Sequence, residues 1–125
     1  MLSGNGDLHL ENLALLGAAG AAGFSPVYDP APMRAYRMHD LLCAVPFGGY
    51  GEEPHTGDPL RQALRSFAGR LALGASTRQR LIREALEVTA DYPQRVQAVT
   101  SLPEENRMRL IAIFRDIRQR LQALD

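Results

Sequence analysis

Apolar residues along this chain change from short clusters to a helical period near residue 58. Before that point, residues 13 to 16 (LALL) and 24 to 28 (FSPVY) are short apolar segments on either side of residues 17 to 23 (GAAGAAG). The glycines disfavour a helix through the alanines, because each costs up to about 1 kcal/mol relative to alanine. The pattern therefore predicts two short strands joined by a flexible turn.

Two segments are rich in residues that interrupt regular structure. Residues 29 to 37 contain two prolines, which disfavour strand pairing, and we expect this stretch to be irregular. Residues 46 to 54 (PFGGYGEEP) indicate a loop. We interpret the chain as one domain over residues 1 to 125, with a hairpin segment at residues 1 to 51 and a helical segment at residues 52 to 125.

The helical segment begins with two amphipathic patterns. Asp58 is expected to cap a first helix with Pro59 at its first position, and Gly74 to end it. Ser76 is expected to cap a second helix, which Pro93 bends or ends. The predicted apolar positions are Leu60, Ala63, Leu64, Phe67 and Leu71 in the first helix, Leu81, Ala85, Leu86 and Val88 in the second, and Val96 and Val99 beyond the proline.

The last helix has the clearest pattern. Residues 101 to 104 (SLPE) match a capping box with proline at an early position. The apolar residues that follow at helical spacing are Leu110, Ile113, Phe114, Ile117, Leu121 and Leu124. The predicted fold is α+β, with a short N-terminal β-hairpin packed on a mainly helical bundle.

Charge and cysteine content narrow the functional classes. Fourteen basic residues, all arginine, balance fourteen acidic ones, so no net field attracts the chain to nucleic acid or to an anionic membrane. We expect neither as a direct partner. The single cysteine, Cys43, excludes an internal disulfide and suits a reducing compartment. With no signal peptide or membrane-spanning run in this sequence, we expect a cytoplasmic protein.

Several polar groups have simpler interpretations than a binding site. His39 and His55, with nearby acidic residues, fit no recognised metal-ligand spacing, and we interpret them as solvated. Residues 17 to 23 lack the lysine and hydroxyl residue of a phosphate-binding loop. The arginines of the helices are expected to form solvated faces beside acidic residues; they are Arg78, Arg80, Arg83, Arg115, Arg118 and Arg120.

Three oxygen-bearing residues flank the predicted hairpin. Asp7 and Asn12 are five residues apart before the first strand, and Asp29 follows the second. Phosphoryl transfer needs a carboxylate that accepts the proton of the substrate hydroxyl, and oxygen ligands for magnesium. Protein kinases have an aspartate and an asparagine at this spacing in the catalytic loop, followed by a metal-binding aspartate.

The sequence resembles the HipA family of serine/threonine kinases, the toxins of bacterial toxin–antitoxin pairs. The resemblance lies in residues 4 to 12 (GNGDLHLEN) and 24 to 29 (FSPVYD). It implies that Asp7 is the catalytic base, that His9 is a catalytic-loop histidine, and that Asn12 and Asp29 bind magnesium. It also implies ATP as the phosphate donor, a protein substrate, and a fold resembling part of a kinase C-lobe.

Two substitutions and one missing residue type depart from the family pattern. Glu11 stands where family members commonly have lysine or arginine, and Pro30 where they commonly have leucine. The sequence has no lysine to serve as the family's phosphate anchor, and relatives carry a nucleotide-binding lobe upstream. We therefore expect a truncated or split kinase that is inactive alone and is completed by a separately encoded N-terminal lobe. The alternative is a non-catalytic module that binds a toxin–antitoxin partner such as a HipB-like antitoxin, or self-associates.

Overall fold

The computed structural model describes residues 2–3, 5, 12–26, 31–39 and 59–124. Within these residues there are two strands, two short 3₁₀ turns and four helices. They are β1 (Leu15–Leu16), β2 (Gly23–Phe24), the turns Met33–Ala35 and Arg37–His39, α1 (Pro59–Arg70), α2 (Ala75–Val88), α3 (Tyr92–Ala98) and α4 (Glu104–Gln122). A small hairpin followed by a mainly helical region agrees with the predicted α+β class.

The hairpin forms where the sequence predicts it. β1 and β2 pair antiparallel, with Leu15 opposite Phe24, and the Ser25 N–H donates to the Ala14 carbonyl at 2.8 Å. The turn requires glycine at position 17, where φ is +124° and an added Cβ would lie 2.9 Å from the carbonyl oxygen of Ala21. The glycine-rich segment therefore closes a hairpin and does not continue a helix.

Within residues 29 to 37, the expectation of irregular backbone is wrong at Met33–Ala35, which forms a 3₁₀ turn, and a second such turn follows at Arg37–His39. The Ala35 N–H donates to the Pro32 carbonyl, and the Tyr36 N–H to the Met33 carbonyl, both at 2.9 Å. Proline blocks strand pairing, but its fixed φ and free carbonyl suit the start of a turn. Arg109 of α4 donates through Nε to the Arg34 carbonyl at 2.9 Å, which holds the first turn against that helix.

The core follows the buried face of α4, as its pattern predicts. Phe114 is only 2% exposed, and the other apolar residues buried along this helix are Leu110, Ile111, Ile117 and Leu121. Towards its C-terminal end α4 packs against Leu60 and Ala63 of α1. Nearer its N-terminus it packs against Val96 of α3 and Ala35 of the first 3₁₀ turn. Helix α4 thus contributes to both core clusters, one with α1 and one with α3 and the first 3₁₀ turn.

Helix α1 begins at Pro59 as predicted but ends four residues before Gly74, at Arg70. The Leu73 N–H donates to the Ala68 carbonyl at 2.8 Å, and the Ala72 N–H to the Gly69 carbonyl at 3.1 Å. These bonds form a Schellman motif, whose left-handed position is filled by Ala72 with φ +52°. The cap position favours glycine but holds alanine, which is why the sequence pattern points to the wrong residue.

Two of the three predicted side-chain caps are also wrong, and the third, Asp58, lies outside the described residues. Gly74, in an extended conformation, is the N-cap of α2, and its carbonyl accepts the Arg78 N–H at 3.0 Å, so Ser76 lies inside the first turn. At α4 the N-cap is Pro103, without a side-chain cap hydrogen bond, so Ser101 forms no capping box. The predicted break at Pro93 is confirmed, because α2 ends at Val88 and the proline lies at the start of α3.

Candidate functional site

Most of the proposed kinase residues lie outside the described part of the chain. Asp7, His9 and Asp29 are outside it, as are Glu11 and Pro30. So are Cys43, Asp58, His55 and the predicted loop at residues 46 to 54. Asn12 is described: it is half-buried and lies three residues before β1. The roles assigned to all of these residues, Asn12 included, therefore stay predictions.

The hairpin brings Asn12 and Ser25, which border the two predicted motif segments, to the same end of one strand pair. In an antiparallel pair, the segment that enters the first strand and the segment that leaves the second lie at the same end. The register of Leu15 opposite Phe24 puts Ala14 and Ser25 at that open end, joined by their 2.8 Å hydrogen bond. Asn12 leads into this end, and the segment that follows Pro26 leaves from it.

The start of the chain is attached to the helices just before the motif begins. The Tyr92 hydroxyl donates to the Ser3 carbonyl at 2.8 Å, and Leu2 packs against the core formed by α1 and α4. The Tyr92 ring stacks on Phe114 with centroids 5.0 Å apart, and burial raises the pKa of its phenol. The helical core therefore fixes the residue that precedes the glycine-rich start of the motif.

A small cavity lies beside this attachment. It has a volume of about 180 Å³ and is lined by Ser3, Asn5, Pro32 and Tyr92. Asn5 belongs to the HipA-like segment, whereas Pro32 follows the predicted metal-binding Asp29 by three residues. Residues from both sides of the motif thus approach the same point on α3.

Within the described ranges, no group of three or more histidine, cysteine, aspartate or glutamate side chains is placed to hold a metal ion. Asn12 is the one predicted magnesium ligand in these ranges, and a carboxamide oxygen is a suitable donor for that ion. The described helices also include none that is both long and apolar enough to cross a membrane.

A larger, apolar groove lies between α1 and α2, and Leu2, Ser3 and Leu121 of α4 complete its lining. Its volume is about 490 Å³. The apolar side chains that line it include Leu64, Phe67, Leu81, Ile82 and Ala85, and Arg78 lies among them. Sequence reasoning missed this surface because it assigned Phe67, Leu71 and Leu81 to core-facing positions. The structure leaves Phe67 46%, Leu71 53% and Leu81 44% exposed.

The helix arginines have different roles. Arg80 pairs with Glu84 at 2.8 Å and Arg120 with Asp116 at 2.9 Å, which confirms solvated ion pairs at those positions. Arg118 differs, because it donates to the Leu86 carbonyl at 2.6 Å and lies 5.9 Å from the Phe114 ring centroid. It caps the last turn of α2, which has no basic residue of its own there.

Comparison of the chain with protein-family models, with curated proteins and with solved structures finds no match in any of the three.

Proposed function

We propose that the chain is the catalytic-loop and helical part of a HipA-like serine/threonine kinase. The observation that supports this proposal is the antiparallel pairing of β1 with β2, because Asn12 precedes the first strand and Ser25 and Pro26 follow the second at the same end of the hairpin. A second support is the bond from Tyr92 to Ser3, which holds the start of the motif on the helical core. A cytoplasmic location belongs to the same proposal.

In this assignment Asp7 accepts the proton of the substrate hydroxyl, and Asn12 and Asp29 hold magnesium. His9 belongs to the same catalytic loop. Magnesium, when bound with ATP, neutralises charge on the phosphates during transfer. Glu11 places a negative charge next to Asn12 in sequence, which opposes the approach of a polyanion.

The phosphate anchor of the HipA family is a lysine, which these 125 residues do not contain. A HipA-like nucleotide-binding lobe would supply it. We therefore expect the chain alone to bind magnesium ATP with a dissociation constant weaker than about a micromolar, since that affinity corresponds to about 8 kcal/mol from half a site. Isothermal titration calorimetry measures it directly, and micromolar binding by the chain alone would count against a divided site.

Reconstitution tests the catalytic assignment. The chain is mixed with a purified HipA-like N-terminal lobe, and transfer of labelled phosphate from ATP to a serine-bearing protein is measured. Asp7→Asn is expected to lower the rate by about 10² to 10⁴, because an amide cannot accept the proton. Asn12→Ala and Asp29→Ala should lose activity that higher magnesium partly restores. Glu11→Lys should raise activity if repulsion of phosphate limits this chain.

Full activity in Asp7→Asn would refute the assignment of the base. Val88→Asn serves as the control, because Val88 is 80% exposed and lies on α2 rather than on the hairpin. Transfer by this variant should equal that of the unmodified chain. If no mixture transfers phosphate, the interaction-module alternative is favoured.

That alternative, a non-catalytic module that self-associates or binds a toxin–antitoxin partner, has its own support. The hairpin exposes Leu15 (64%), Leu16 (61%) and Phe24 (77%), and a two-stranded sheet is marginal in water without a covering surface. Sedimentation velocity should show concentration-dependent association that Phe24→Ser reduces. A strict monomer at all concentrations would exclude self-association through this surface.

A further inference from the structure

The groove between α1 and α2 is an apolar surface that the kinase proposal does not use. It is concave, about 490 Å³ in volume, and Arg78 lies in its otherwise mainly apolar lining. Phe67 and Leu81, which line it, are each about half exposed. Isolated exposed leucines are common on protein surfaces, but grouped apolar side chains that line a concavity mark binding sites.

The two helices that form the groove carry an excess of positive charge. Together α1 and α2 contain six arginines and two glutamates, although the whole chain is neutral. One of the glutamates, Glu84, already pairs with Arg80. Within the described residues, Arg70 and Arg78 have no ion-pair partner. Arg78 lines the groove. Arg70 follows Phe67 by three positions, so Arg70 and Phe67 are neighbours on the surface of α1.

We propose that this groove binds an amphipathic helix of a partner protein, with an apolar face flanked by acidic residues. Helices bind such grooves through apolar anchors at positions i, i+3 or i+4, and i+7. Arg78 in the lining favours acidic over basic flanks, because like charges brought together disfavour the wrong partner. The proposal does not depend on kinase activity, since Asn12, the one assigned site residue that the structure describes, does not line the groove.

Charge and shape argue against two other occupants. In a symmetric dimer the same patch of each copy meets itself, so a second copy docked here would bring together two patches that each carry Arg78. A membrane presents a broad surface, whereas this site is a concave groove of about 490 Å³. A partner helix with an apolar ridge and acidic flanks matches both the concave shape and the positive charge of the groove.

Selection from a peptide library tests the proposal directly. A displayed library of randomised helical peptides is selected against the 125-residue chain, and enriched peptides are measured by fluorescence anisotropy. The enriched sequences should combine the apolar spacing with aspartate or glutamate flanks. Their binding should weaken as salt is raised. Leu81→Asn should weaken binding about tenfold, as expected for loss of a partly buried leucine contact.

Variants at Arg78 separate charge from shape. Arg78→Gln should weaken binding severalfold, and Arg78→Glu should weaken it about tenfold and shift preference towards peptides with basic flanks. The matched control is Met108→Asn, because Met108 is 50% exposed on α4 and does not line the groove. This control should change affinity less than twofold. Circular dichroism confirms that each variant is folded.

Three results would overturn the proposal. The first is the absence of enriched peptides, or enrichment of peptides whose binding survives both Leu81→Asn and Arg78→Glu. The second is co-sedimentation with phosphatidylglycerol vesicles that Arg78→Glu abolishes, which would indicate a membrane surface instead. The third is dimerisation of the chain that Leu81→Asn abolishes, which would assign the groove to a second copy.

Discussion

Replacement of Ala72 by glycine is expected to stabilise the fold. Ala72 ends α1 in a left-handed conformation, with φ +52°, and completes the Schellman motif through its N–H bond to the Gly69 carbonyl. An L-residue in this conformation brings its Cβ close to the following carbonyl oxygen. Glycine has no Cβ and keeps both backbone hydrogen bonds, so Ala72→Gly removes the strain without loss of a described contact.

The size of the gain follows from two opposing terms. Relief of the left-handed strain is worth about 1 to 2 kcal/mol. The greater freedom of glycine in the unfolded chain costs about 0.4 to 1 kcal/mol. The difference is a stabilisation of about 0.5 to 1 kcal/mol, which for a chain of this length corresponds to a rise in melting temperature of about 2 to 5 °C.

The matched control makes the same chemical change where the backbone is helical. Ala112 is exposed in the middle of α4, so Ala112→Gly should lower stability by about 1 kcal/mol. Urea unfolding followed by far-UV circular dichroism gives both free energies, and equal denaturant slopes confirm that the same transition is compared. The two variants should change stability in opposite directions. Equal destabilisation by both would refute the left-handed end of α1.

Two further substitutions test the contacts that join the helices. Tyr92→Phe should cost about 1 kcal/mol at neutral pH, because it removes the hydrogen bond to Ser3. Burial raises the pKa of the Tyr92 phenol in the folded state. The stability that this shift contributes is therefore fully present below about pH 10, the pKa of an unfolded tyrosine, and is lost as pH rises through the folded-state pKa. Urea titrations should therefore show a steeper alkaline loss for the unmodified chain than for the variant, and parallel curves would contradict a buried phenol. Arg118→Met should lower the free energy of unfolding by about 1 to 2 kcal/mol, because the Leu86 carbonyl loses its donor. The control Arg115→Met, at an exposed position of the same helix, should change it by less than about 0.5 kcal/mol. Equal effects of the two arginine variants would show that Arg118 does not cap α2.

The sequence is sufficient to predict which elements form and which face of α4 is buried. Apolar residues from Leu110 to Leu121 recur at the helical period over nearly the whole helix, and this signal is independent of the neighbouring elements. The sequence signal for the hairpin is also local, because it consists of glycines in the turn and short apolar runs on both sides. Pro93 predicts the break between α2 and α3 for the same reason.

The helix ends could not be predicted because non-local contacts and backbone geometry replace the usual cap residues. Ser76 and Ser101 have the right chemistry for an N-cap but do not occupy the N-cap positions, which belong to Gly74 and Pro103. At the end of α2 the donor to the Leu86 carbonyl is Arg118, which lies 32 residues away. No local motif identifies such a partner.

The same limit explains why the sequence pattern assigns the groove residues to the core. The helical period shows that Phe67 and Leu81 lie on the apolar faces of their helices. It does not show whether another element of this chain covers those faces. In the structure α4 fills the space beside Leu60 and Ala63, and it leaves Phe67, Leu71 and Leu81 about half exposed. The apolar face of α1 is thus longer than the contact that α4 makes with it. Because arginines outnumber acidic residues on the two helices that border that excess, an acidic helix is the complement that both the shape and the charge of the groove select.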